Sequence, residues 1–169
     1  MSGSGSVFTL TMKQIQAGKP SNNLVYSAEE HANTRQKEQS KMSMAKLSGE
    51  ILLAEDNLMN QQLIQRLLEK MGATVTVAEN GAVAVNLAQQ NRYDLIYMDM
   101  QMPVVSGVDA VRTLRNNEYT GPIVMLTANT TLEDRALCKD AGSNDFLAKP
   151  IDTEKLYKVT ESYLKPSRE

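Results

Sequence analysis

One cysteine in 169 residues, Cys138, leaves no internal disulfide framework to build on. Its place in a helical pattern reads as a small buried or half-buried thiol rather than a nucleophile. The one histidine, His31, stands in a polar stretch with no second ligand at metal spacing, which excludes a zinc site. Positive charge is not in excess: 18 Lys and Arg face 20 Asp and Glu, a net charge of −2, so no basic field points to nucleic acid. No apolar run approaches the length a bilayer requires, so no membrane contact is expected. The glycine- and serine-rich start lacks a charged n-region before an apolar h-region, so no signal peptide is expected. Without secretion, the sequon Asn129-Thr130-Thr131 carries no meaning.

What is present suffices for one ordinary domain and a tail, with 41% hydrophobic residues to make a core. Residues 1–48 read as an N-terminal tail and linker. Within them residues 3–12 form a Gly/Ser start and one β-like run, residues 16–23 have loop chemistry, and Ser27 to Lys46 is polar with no apolar stripe. Residues 49–165 read as the folded domain and 166–169 as a C-terminal tail.

From Glu50 the texture alternates strand and helix. Asn57 can cap a first helix, in which Met59, Leu63, Leu67 and Met71 recur every fourth residue with Ile64 and Leu68 beside them; Gly72 ends it. Thr74–Ala78 is a β-branched strand, and Asn80 caps a shorter helix with Ala84, Leu87 and Ala88 inward. The run Leu95–Met98 is a buried strand. Ser106 opens a helix with Val108, Val111 and Leu114 at helical spacing. Thr120-Gly-Pro122 breaks before the strand Ile123–Leu126. Thr130 or Thr131 caps Leu132–Ala141, Gly142 stops it, Phe146–Ala148 is a short strand, and Asp152 or Thr153 caps the last helix. Five strand–helix units in about 115 residues predict an α/β fold, a doubly wound (βα)5 flavodoxin-like parallel sheet with strand order 2-1-3-4-5.

In such a sheet, ligands bind at the carboxyl ends of the strands. Four runs deliver a polar group there: Glu55 and Asp56 after the first strand, Asp99 after the third, Thr127 after the fourth and Lys149 after the fifth. Three carboxylates at one rim repel one another, and a hard dication offsets that cost. Mg²⁺ keeps several waters and asks for few protein oxygens, so this set suits it. Asp99 can then act as a nucleophile toward an activated phosphoryl group, with Lys149, Thr127 and backbone N–H groups balancing its oxygens. Singly, each residue has a bland reading as a cap, turn or strand-end residue.

Glu55-Asp56, Asp99 with Met102-Pro103 and Gly107 behind it, Thr127-Ala128 and Lys149-Pro150 together resemble a response-regulator receiver domain over residues 50–164. The resemblance implies that Asp99 accepts a phosphoryl group from a phosphohistidine on a histidine kinase or histidine phosphotransfer protein. It implies that Glu55, Asp56, Asp99 and the main-chain oxygen of Gln101 bind Mg²⁺, and that Thr127, Ala128 and Lys149 hold the phosphoryl group. It implies a cis bond before Pro150, and a switch in which Thr127 moves toward the phosphate and Phe146 swings inward. The face of the fourth helix, fifth strand and fifth helix would read that switch out. Gln101 and Asn129 hold the positions that tune phosphate lifetime in the family.

Glu-Asp-Asn-Leu-Met-Asn60 and Met-Asp-Met-Gln-Met-Pro103 are similar to receivers fused to hybrid histidine kinases, and residues 3–10 resemble the exit of a kinase ATP lobe, although a Gly/Ser linker fits them equally. The chain would then be cytoplasmic, part of a larger kinase that can itself be membrane-anchored, and no stand-alone enzyme: it would catalyse its own phosphotransfer and slow autodephosphorylation. No DNA-binding module is expected in it. Two alternatives stand beside this reading: a pseudo-receiver that only binds partners, and a haloacid-dehalogenase-like phosphatase. The phosphatase wants an acid two residues after the nucleophile, where this chain has Gln101.

Overall fold

The computed structural model describes residues 45–167; the tail readings for residues 1–44, including the kinase-like 3–12, and for 168–169 lie outside the described residues. In chain order the elements are β1 Leu47–Ser48, β2 Glu50–Ala54, α1 Leu58–Met71, β3 Thr74–Ala78, α2 Gly81–Gln90, β4 Leu95–Asp99, α3 Gly107–Asn116, β5 Ile123–Thr127, α4 Leu132–Ala141, β6 Asp145–Ala148, α5 Thr153–Tyr163 and β7 Lys165–Pro166. Five strands form one parallel sheet in the order β3-β2-β4-β5-β6, which is 2-1-3-4-5 when its own strands are counted.

Side chains alternate faces along a strand, so each central strand feeds two cores. Leu52, Ala54, Ile96, Met98, Ile123 and Met125 pack with Ala84, Val111, Leu114 and Cys138 from α2, α3 and α4. Ile51, Leu53, Leu95, Tyr97, Val124 and Leu126 pack with Ile64, Leu68 and Leu156 from α1 and α5. Both faces of β4 and β5 are therefore covered and every residue in them is buried, which is why those stretches read as unbroken apolar runs.

Helix starts follow side-chain chemistry. Asn57, Asn80, Ser106, Thr131 and Asp152 each cap a helix by accepting from a backbone N–H of its first turn. Thr131 rather than Thr130, and Asp152 rather than Thr153, take the two positions the sequence leaves open. Gly72 and Gly142 end α1 and α4 at φ of 103° and 98°, a conformation that suits glycine.

The α1 stripe needs correction. Ile64, Leu68 and Met71 face the core, whereas Met59 and Leu63 are 73% and 51% exposed. Three steps of four residues overshoot the 3.6-residue turn, so that stripe drifts off the buried face.

The packed body also takes in residues on either side of the 49–165 span. Leu47 is buried in the α1–α5 core, and β1 pairs antiparallel with β7 through Leu47–Pro166 and Ser48–Lys165. The Tyr157 hydroxyl donates to the Ala45 carbonyl at 3.1 Å.

Candidate functional site

Register brings the strand ends together. Ala54 lies opposite Met98, so Glu55 and Asp56 follow beside Asp99. Asp99 lies opposite Leu126 and Thr127 opposite Ala148, so the next residues, Thr127 and Lys149, close the same rim. Two backbone bonds extend the ladders past the strands, from Met100 N–H to the Leu126 carbonyl at 2.9 Å and from Lys149 N–H to the Thr127 carbonyl at 2.7 Å. Behind Asp99, Gly107 is required: a Cβ there would stand 1.8 Å from the Asp99 carbonyl oxygen.

The Lys149 ammonium bridges two carboxylates, at 2.7 Å from Asp99 Oδ2 and 2.6 Å from Glu55 Oε2. Glu55 is fully buried and Asp99 is 5% exposed. Glu55 Oε1 accepts from Asn60 Nδ2 at 3.0 Å and from the Asn57 N–H at 3.3 Å. Glu55 Oε2 has only the ammonium contact as charge partner and accepts no well-angled hydrogen bond. Asp99 Oδ1 accepts from the Gln101 N–H at 3.3 Å.

Burial raises the Asp99 carboxyl above the usual range; the Lys149 hydrogen bond pulls it down and the Glu55 charge pushes it up again. Burial alone would lower the Lys149 ammonium, but its hydrogen bond to Asp99 and its ion pair with Glu55 outweigh that and hold it raised.

Glu55, Asp56 and Asp99 each offer an oxygen within 4.8 Å of the others, and Asp56 is exposed at the rim. The donors are all carboxylate oxygens, the buried Glu55 Oε2 makes only the ammonium contact, and no His or Cys joins the cluster among the described residues. This set fits a hard divalent cation and could hold one.

Asp99, Gln101, Thr127, Ala128 and Lys149 line one cavity of about 100 Å³. Thr127 is buried there, but its hydroxyl is turned to the following loop, donating to the Asn129 carbonyl at 2.6 Å. Phe146 does not line this cavity. It is half-buried on β6, packed on the α2–α4 side, with the Arg135 guanidinium 4.8 Å from its ring centroid. The Lys149–Pro150 bond is cis.

Asn60 and Asp134 were not singled out from sequence. Asn60 sits inside a quoted motif yet gives no sign of bonding Glu55. Asp134 lines the Asp99 cavity but reads from sequence only as a first-turn helix acid.

The sequence profile of the response regulator receiver domain matches residues 51–161. The chain belongs to that family, and its role is that of a receiver in two-component phosphorelay signalling. It is 38% identical over 120 residues to hybrid signal transduction histidine kinase K of Dictyostelium discoideum, covering 66% of this chain and 10% of that protein. It is 40% identical over 114 residues to the sensor protein GacS of Pseudomonas syringae pv. syringae, covering 64% of this chain and 13% of that protein. The chain thus spans a small fraction of these curated relatives.

Among solved structures, the receiver domain of sensor histidine kinase PA1611 from Pseudomonas aeruginosa PAO1, with magnesium in its active-site cleft, shares 42% identity at a TM-score of 0.65, over 69% of this chain and 97% of that one. The Saccharomyces cerevisiae receiver domain of Ssk1, crystallised with the histidine phosphotransfer protein Ypd1, shares 31% at 0.65, over 71% and 90%. Among the described residues no helix is long and apolar enough to cross a membrane.

Proposed function

We propose that Asp99 is the phosphoacceptor of this receiver and that Lys149, Thr127 and Ala128 hold the incoming group. The bridge from Lys149 to both Asp99 and Glu55 carries the reading, because it focuses one cation on two buried acids at the mouth of a cavity. An Asp99 carboxylate oxygen attacks phosphorus, the bond from phosphorus to the donor's imidazole nitrogen breaks, and the nitrogen keeps the electron pair. The product is an acyl phosphate on Asp99. Desolvation makes the Asp99 carboxylate more basic and so a better nucleophile. Lys149 and the loop N–H groups after Thr127 oppose the charge on the phosphoryl oxygens. Glu55, Asp56, Asp99 and the Gln101 carbonyl would hold Mg²⁺, which when bound screens the acids from the phosphoryl group and from each other. Water attack on the same phosphorus returns free Asp99, at a rate that Gln101 and Asn129 help set. The Thr127 hydroxyl would leave Asn129 for the phosphoryl oxygen, and Phe146 would follow inward from beneath Arg135.

The donor is a histidine kinase or a histidine phosphotransfer protein, and a docking surface for it adjoins the cavity. Leu58, Met59 and Leu63 on α1 are exposed, and Asn60, Leu63, Ala128, Lys149 and Ile151 line a shallow apolar groove that runs to the site. We infer that residues 49–165 act as the cytoplasmic receiver module of a longer hybrid histidine kinase. The pseudo-receiver and phosphatase alternatives are less well supported, because the acid set is intact and position 101 is Gln.

Intact mass after phosphoramidate treatment tests the reading. One phosphoryl group is expected on the wild-type chain with Mg²⁺ and none on Asp99→Asn or with chelator. Unmodified wild-type protein would contradict it, and steady turnover of a phosphate ester would favour the phosphatase.

A further inference from the structure

A second carboxylate lines the cavity beside Asp99 and has no part in the cation-binding cluster. Asp134, third residue of α4, lines the cavity with Asp99, Thr127, Asn129 and Lys149, and it is half-buried. Its neighbour Glu133 is exposed and does not line this cavity. Asp134 Oδ2 accepts from the Thr131 hydroxyl at 2.7 Å, and its own N–H donates to that oxygen at 3.1 Å. The bland account stops there, with an acid completing a helix cap.

Charge balance in the cavity takes the residue further. The ammonium of Lys149 is already shared between Glu55 and Asp99. Among the described residues the ion pairs are those two and two made by Arg112, and Asp134 takes part in none. The Thr131 hydroxyl fixes the carboxylate without neutralising it. Its field reaches inward: the Cys138 thiol is pushed up first by burial and then by the Asp134 charge. Phosphorylation replaces the single negative charge of Asp99 with about −2 on the phosphoryl oxygens, a net gain of about one negative charge in the cavity. Asp134 therefore meets it as a held like charge with no ion-pair partner among the described residues, offset only by the start of α4.

We propose that Asp134 sets the affinity of this cavity for a phosphoryl-like dianion by opposing its occupancy. The inference rests on the reading of Asp99 as acceptor. Asp134 is a tuning residue: it touches no reacting atom and acts through the field at the site. Asn at position 134 keeps an oxygen for the Thr131 hydroxyl and loses only the charge. Ala loses both charge and cap, and Glu keeps the charge.

Beryllofluoride, titrated calorimetrically into the 169-residue chain with Mg²⁺ present, reads the effect. Asp134→Asn is expected to bind about three- to tenfold more tightly than wild type, from one like charge a few ångströms away in a partly solvated cavity. The gain should shrink in about 1 M salt, where exposed charges are screened within a few ångströms. Asp134→Ala should show the same gain despite a lower melting temperature, and Asp134→Glu should stay near wild type. An Asn variant equal to or weaker than wild type overturns the inference. So does a change seen in Ala alone, which assigns the residue to the cap. Wild-type protein that does not bind beryllofluoride, or that binds equally well as Asp99→Asn, defeats the reading of Asp99 and the inference with it.

Discussion

Removing the ammonium from Lys149 isolates the electrostatics of the site from its chemistry. Lys149→Met keeps much of the side-chain volume and leaves Asp99 and Glu55 facing each other without a cation. The side chains of Glu55, Asp99 and Lys149 are 0%, 7% and 18% exposed, so solvent screens this trio little. Taking one partner from a buried ion pair costs about 3–5 kcal/mol when the charge left behind stays ionised. Here one carboxyl can take up a proton instead, which limits the loss, so the expected destabilisation near neutral pH without divalent cation is about 3 kcal/mol.

The sign with pH follows from the direction of the shift. Burial already raises the Asp99 carboxyl, and losing Lys149 removes what pulls it down. An acid raised in the folded state favours folding at low pH and loses that contribution as pH rises through its folded value. The deficit of Lys149→Met should therefore shrink by half or more between about pH 7.5 and about pH 5. Added Mg²⁺ should shrink it at neutral pH, by binding the folded state.

Urea unfolding followed by circular dichroism measures all of this, with Asp99→Asn and the double variant completing a cycle. The double variant should be more stable than Lys149→Met alone. A loss below about 1 kcal/mol, a deficit equal at both pH values, or no recovery in the double variant would refute the reasoning.

Other perturbations test other joints. Gly107→Ala forces a methyl against the Asp99 carbonyl and should cost about 2 kcal/mol or more, with weakened Mg²⁺ affinity, by chemical denaturation and calorimetry; unchanged metal affinity would show that the strand end does not depend on this close approach. Arg115 donates to the carbonyls of Gly142, Tyr119 and Gly121 and to Asn144 Oδ1, tying α3 to the end of α4. Arg115→Ala should cost about 3 kcal/mol and Arg115→Lys should recover little, because a point charge cannot reproduce the planar fork. Thr160 donates to the Leu156 carbonyl, so the Tyr97 hydroxyl is the donor in their 2.8 Å bond. Burial keeps that phenol well above its ordinary pKa. Its contribution is intact below about pH 10, where the unfolded phenol titrates, and is lost above it by about 1.4 kcal/mol per pH unit; Tyr97→Phe should flatten the alkaline fall in urea midpoint by that one group.

Legibility in the sequence varied with how many residues carried each signal. β2, β4 and β5 were plain because burial on both faces leaves an apolar run unbroken by polar residues, as in Leu95–Met98. Helix starts were plain because a cap needs one side-chain oxygen at one place, as at Asn57 and Ser106. The meeting of Glu55, Asp99 and Lys149 followed from strand order alone, since in a parallel sheet every strand ends at the same edge. β1 and β7 were not legible: two residues show no period, and Leu47 is buried by a partner about 120 positions away. Met59 and Leu63 misled because a stripe of every fourth residue leaves the core after two turns. The bond from Asn60 to Glu55 and the cavity position of Asp134 depend on rotamers and loop shape, which no spacing rule encodes.

The central claim is that Asp99 is the atom-level destination of the phosphoryl group, and borohydride trapping tests it most directly. Hydride reduces an acyl phosphate at an aspartate to homoserine, so peptide mapping of the chain phosphorylated with Mg²⁺ names the residue. Homoserine at position 99, absent in chelator and absent from untreated protein, is the predicted result. Homoserine at Asp56 or Asp134, or none in protein that carries a phosphoryl group, would contradict the account.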